Sequence, residues 1–159
     1  GRLMPTTSIR ATTAVRIVTL LTAEPSMAGV TVTFGHPGEQ LVGDTFVAVV
    51  LSPEGRTERA NFKGGRHQRD DRYTCEVHVA VFGTDLSDFG EAISQTCEDL
   101  AGVVDGLIAT NPTLAIDGNG LSGLVSAATT AVNGPNLYRL ADGYVAEAQV
   151  DVACHARLT

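Results

Sequence analysis

A chain of 159 residues that is 43% hydrophobic, 18% charged and 5% aromatic has the size and composition of one globular domain. Its longest uninterrupted apolar run, Phe46 to Leu51, is six residues, where a membrane helix takes about 20, so a transmembrane helix is excluded. With 11 bases against 18 acids the net charge is −7, which argues against general nucleic-acid binding.

Gly1-Arg2-Leu3 reads as a cloning remnant before a native start at Met4, leaving residues 4–159 as a single domain with no repeat and no low-complexity stretch. From Thr7 to Ala23, Ala11, Ala14, Val15, Val18 and Leu21 follow helical spacing, with threonines available as caps and Pro25 as a stop. Val30, Val32 and Phe34 then alternate with threonines, as a half-buried strand does. Thr45 to Ser52, the densest β-branched block, reads as a strand buried on both faces.

A loop follows, from Arg56 to Arg72, with Gly64-Gly65 giving it backbone freedom. It is expected to stay mobile until something binds it. Beyond it Tyr73, Cys75, Val77, Val79 and Val81 alternate with Glu76, His78, Ala80 and Phe82, predicting a long strand with one dry face. Leu86, Phe89, Ile93, Cys97, Leu100, Val104 and Leu107 recur at steps of three and four, the strongest helical stripe in the chain. Ser87 is its expected cap and Asn111-Pro112 its end. Leu124 to Val132 reads as a strand, Gly134-Pro135-Asn136 as a turn, and Tyr144 to Cys154 as a closing strand whose even-numbered residues are apolar. This order predicts an α+β fold: an antiparallel or mixed sheet with two helices packed on one face.

The motifs of common chemistries are missing or stand outside the context they need. The one GxGxxG spacing, Gly118-Asn119-Gly120-Leu121-Ser122-Gly123, is expected to lack the following helix that would aim N–H groups at a phosphate, and there is no GxxxxGK[ST] phosphate loop and no GxSxG elbow. Cys75 and His78 are an odd number of residues apart, as are Cys154 and His155, so on strands they face opposite sides and cannot converge on a metal. Cys75, Cys97 and Cys154 sit on apolar faces as small hydrophobes, and three cysteines with no secretory leader indicate a reducing compartment. His36 is read as a turn residue and His67 as exposed. Asp70-Asp71 and Glu98-Asp99 are read as solvated charge. No catalytic residue, metal or cofactor is implied, and the chain is not expected to be an enzyme.

Charge is distributed unevenly. Arg56, Arg59, Lys63, Arg66, Arg69 and Arg72 lie in one stretch with only Glu58, Asp70 and Asp71, an excess of three positive charges, while the remaining five bases face fifteen acids. Opposite fields on one molecule suit self-association or docking on an acidic partner. Lys63, Arg66, Arg69 and Arg72 are the expected contacts, and Asp70 and Asp71 are expected to fix the register.

The stretch from Lys63-Gly64-Gly65-Arg66-His67-Gln68-Arg69-Asp70-Asp71-Arg72 into Tyr73-Thr74-Cys75-Glu76-Val77-His78-Val79-Ala80-Val81-Phe82 resembles the basic-loop-into-strand segment of tail terminator proteins of long-tailed, non-contractile bacteriophages. Pro112-Thr113-Leu114 after the long helix and the closing Cys154-His155-Ala156-Arg157-Leu158 are similar as well, so the likeness runs from about Val30 onward. The resemblance implies a virion protein assembled in the host cytoplasm that forms a hexameric ring on the tail tube. Such a ring halts tube growth and offers a surface to the head-completion protein; its partners are other copies of itself, the tube protein and that head protein, with no membrane involved. Glu147 and Asp151 are candidates to line a lumen through which DNA slides without specific binding. Two other readings stay open: a head-completion or neck protein, and a small cytoplasmic enzyme or ligand-binding domain with His78 or His155 as a base.

Overall fold

In the computed structural model, which describes residues 10–36, 45–63, 66–114 and 127–158 and leaves out the side chains of 53–63, 66–70, 127, 157 and 158, the chain is α+β, with two helices and a five-stranded mixed sheet. Helix α1 is Arg10–Ala23, followed by a 3-10 turn at Pro25–Met27. Strands β1 (Thr31–Phe34), β2 (Thr45–Lys63) and β3 (Arg66–Gly83) come next. Helix α2 (Glu91–Thr110) leads to β4 (Ala127–Leu140) and β5 (Gly143–Leu158). The strands are ordered β1-β2-β3-β5-β4, with β1 parallel to β2 and every other pair antiparallel.

Both helices pack on one face. Val47 and Val49 of β2, Tyr73 to Val81 of β3 at alternate positions, and Ala146 to Ala156 of β5 at alternate positions meet Ala14, Ile17 and Leu21 of α1 and Cys97, Leu100, Ala101, Val104 and Ile108 of α2. Each large aliphatic side chain buried this way contributes about 1.5–3 kcal/mol. The alternation read in β3 and β5 is borne out: all five odd-numbered residues from Tyr73 to Val81 are buried. On the other face Phe46, Ala48, Ala80 and Val145, with Val50 and Phe82 packed against them, form a small apolar cluster, and no described helix covers it.

Four expectations change. The buried stripe of α1 is turned from the expected one: Thr13, Ala14, Arg16, Ile17 and Leu21 face inward while Val15 is exposed. Polar partners explain the turn, because the Thr13 hydroxyl shares a hydrogen bond of 2.5 Å with the Tyr73 hydroxyl and Arg16 Nε donates to the Leu114 carbonyl at 2.8 Å. The expected start of this helix at Thr7 lies outside the described residues.

Helix α2 begins at Glu91, later than the stripe suggested, and Ser87 is not its cap. The Ser87 N–H and hydroxyl donate to Asp85 instead, and Asp88 accepts from the Gly90 and Ala92 N–H groups. Leu86 and Phe89 therefore precede the helix in an exposed turn. Gly90 adopts a φ of 83° at the cap and lies so close to Leu137 that an added Cβ would stand 2.7 Å from its Cδ1.

The Gly134-Pro135-Asn136 turn is instead an irregularity within β4, which continues to Leu140 with its register to β5 shifted between Asn133 and Asn136. The basic stretch is no loop either. Residues 51–63 and 66–75 pair as a continuation of β2 and β3 out to Lys63 opposite Arg66, forming a hairpin arm. Charged residues on both sides of the ladder carry no hydrophobic alternation, which is why a loop was expected.

Candidate functional site

The register of the arm sets charge against like charge. Arg56 stands opposite Arg72, Arg59 opposite Arg69 and Lys63 opposite Arg66, while Glu58 stands opposite Asp70. All six bases of the basic stretch are thus matched with one another across the ladder. Like charges directly opposite in an antiparallel pair are destabilising, so the arm holds three basic rungs, at steps of three residues along β3, whose repulsion an anionic surface would relieve. Only Asp71, Arg72 and the residues beyond them have described side chains; those of Arg56, Arg59, Lys63, Arg66, Arg69 and Asp70 lie outside the description.

Two contacts fix the arm's root to α1. Asp71, expected to set register on a partner, is instead fully buried and accepts from Arg10 Nε and Nη2 at 3.4 Å. One turn along α1, Thr13 meets Tyr73, whose phenol burial pushes well above its usual pKa. Arg72, between them in sequence, is exposed.

The sheet face without helices is acidic. Glu76 of β3 and Asp151 of β5 are register partners. His78 Nε2 lies 3.1 Å from Glu76 Oε1, and Asp151 accepts from Gln149 at 2.6 Å and Asn133 at 3.4 Å. Glu76 and Asp151 lie in a shallow open groove with Ser52, Thr74, Thr129 and Ala153, and Glu147 stands exposed farther along β5. The structure therefore brings the two lumen candidates, Glu147 and Asp151, to one face and adds Glu76. Sequence alternation gave each residue its face, but which residues stand opposite depends on a register that no local pattern encodes.

The cysteines are buried and free. The Cys75 thiol is held below its usual pKa by a hydrogen bond with Cys154, whose own thiol that bond and burial push up. Burial pushes Cys97 up to about 11. Among the described residues no group of three His, Cys, Asp or Glu is placed to hold a metal, and no helix is long and apolar enough to cross a membrane. No protein-family model matches the chain, and no curated protein matches it significantly.

Proposed function

We propose that this chain is a structural protein of a bacteriophage virion, a tail terminator that assembles as a ring, in the manner of a hexamer, on the head-proximal end of the tail tube. The observation that carries this reading is the base-on-base ladder of the arm, set on a body with an acidic, helix-free sheet face. An arm of net positive charge and a body of net negative charge make a contact between unlike patches, and such head-to-tail contacts close into rings when the rotation between copies divides a full turn.

In this reading the ring stops addition of tube protein on one side and receives the head-completion protein on the other. The helix-free face, with Glu76, Glu147 and Asp151, turns toward the lumen, where carboxylates repel the phosphates of passing DNA and keep it sliding. The ring is built in the host cytoplasm and remains in the virion. The bases Arg56, Arg59, Lys63, Arg66, Arg69 and Arg72 make the contacts.

Electron microscopy of particles made with Arg66→Glu/Arg69→Glu tests the reading. Overlong tails are expected, with the purified variant still folded by circular dichroism. Tails of normal length joined to heads overturn it. Tails of normal length that fail to join heads also overturn it and assign the chain to the neck.

A further inference from the structure

The arm tip and the turn before α2 lie at opposite ends of the same strand, because β3 runs from Arg66 at the tip to Gly83, immediately before that turn. Eighteen extended residues span about 60 Å at roughly 3.3 Å each, so the arm cannot reach this end of its own chain.

That end displays an apolar corner. Phe89 is 73% exposed, Leu86 45% and Leu137 41%. The Leu137 side chain seats on Gly90, the residue after Phe89, so β4 lies directly against the turn. Phe89 is more exposed than the other exposed aromatics among the described residues, Phe34 at 53% and Tyr138 at 49%, and it is flanked by exposed leucines rather than standing singly. Around it the sequence Thr84 to Glu91 carries Asp85, Asp88 and Glu91 with no base. Asp85 is held below the usual carboxylate range by hydrogen bonds from Ser87, so it keeps its charge.

We propose that this corner, Leu86, Phe89 and Leu137 rimmed by Asp85, Asp88 and Glu91, receives the arm of a second copy of the chain. The proposal rests on the head-to-tail reading above and names its receptor. Three carboxylates, with the one nearby base Arg139 engaged by the Gly143 carbonyl and the Tyr144 ring, meet an arm with three more positive than negative charges, and the arm also carries an aromatic, Phe62, beside Lys63. An apolar anchor surrounded by complementary charge is the composition that concentrates binding energy in a small contact.

Paramagnetic relaxation tests this even where association is weak. Full-length ¹⁵N-labelled chain is mixed with unlabelled chain carrying a nitroxide at Asn61→Cys, a position that keeps all six arm bases; the three native thiols are buried. Intermolecular broadening, measured against the reduced label, is expected at amides 85–91 and 137–140, and is expected to fade as salt is added. Broadening centred elsewhere, or none, overturns the proposal.

A second variant separates docking from folding. Phe89 has a φ of 57°, a region glycine adopts without strain, so Phe89→Gly is expected to keep or raise the thermal midpoint. It should abolish the broadening; broadening that persists in Phe89→Gly overturns the corner as receptor. Corner broadening together with intact tail capping by the arm-reversal variant would sink the terminator reading and leave this contact standing. Lost capping with broadening elsewhere would do the opposite.

Discussion

Glu76 and Asp151 stand directly opposite one another on β3 and β5, two carboxylates in one rung on the sheet face that bears no helix. Each has a local partner, His78 for the first and Gln149 for the second, yet the rung itself is repulsive. A protein selected only for stability would not keep it. Replacing Glu76 by Gln is expected to raise stability by about 0.2–1 kcal/mol, more at low salt than at high salt because the groove is open to water. Urea unfolding at two ionic strengths measures it; a destabilised variant would show that Glu76 is held by attraction.

The root of the arm gives a second expectation. Thr13 and Tyr73 share a buried hydrogen bond between α1 and β3. Thr13→Val removes one partner and leaves a buried phenol hydroxyl behind, at a cost of about 1–3 kcal/mol. Adding Tyr73→Phe removes the stranded hydroxyl, so the double variant should be less destabilised than the sum of the two single ones. Additive losses in a double-mutant cycle would mean that the two hydroxyls do not interact.

Arg16 is a residue that α1 pays to keep. It is 4% exposed, its Nε donates to the Leu114 carbonyl, and its Nη1 and Nη2 have no hydrogen-bond partner among the described residues. Burial lowers the pKa of the guanidinium, the direction expected when a charge is desolvated. Methionine keeps much of the apolar stem and buries no charge, so Arg16→Met should match or exceed the wild type, by up to about 2 kcal/mol. Arg16→Ala leaves a cavity and should fall below it. Thermal unfolding of the three proteins gives the order, and a methionine variant below alanine would refute it.

Fold class was legible because two strands carry it. The period of two in Tyr73 to Phe82 and Tyr144 to Cys154 shows in the apolar residues themselves, and the three- and four-residue steps from Ile93 to Leu107 define α2 equally well. The arm was not legible. Its pairs, such as Arg59 with Arg69, are chosen by register, and a run of charged residues has no hydrophobic period to show it. Phe89 was placed on the helical stripe because its spacing fits; the Asp88 carboxylate, by bonding the Gly90 and Ala92 N–H groups, sets the helix start beyond it. For the same reason the corner was hidden: an apolar residue at a helical step looks like core until the cap is known.

Alkaline pH should unfold this protein from within the core. Burial raises the Cys97 thiol from an ordinary 9.0 to about 11, with the Glu147 charge adding to the effect. Tyr73 and Cys154 are shifted the same way, Tyr73 chiefly by burial and Cys154 chiefly by its bond with Cys75. Below pH 9.0 the Cys97 thiol is neutral in folded and unfolded chains alike, so this thiol gives stability no pH dependence. As pH rises from 9.0 toward about 11 the unfolded chain loses the proton first, and stability falls through that window. A single such group contributes a slope of about 1.4 kcal/mol per pH unit. Cys97→Ala should lower stability at neutral pH by removing packing, yet show a shallower alkaline decline, because one of the groups that must stay neutral is gone. Urea midpoints from pH 7 to pH 11 read both effects, and an equally steep decline in the variant would remove Cys97 from the account.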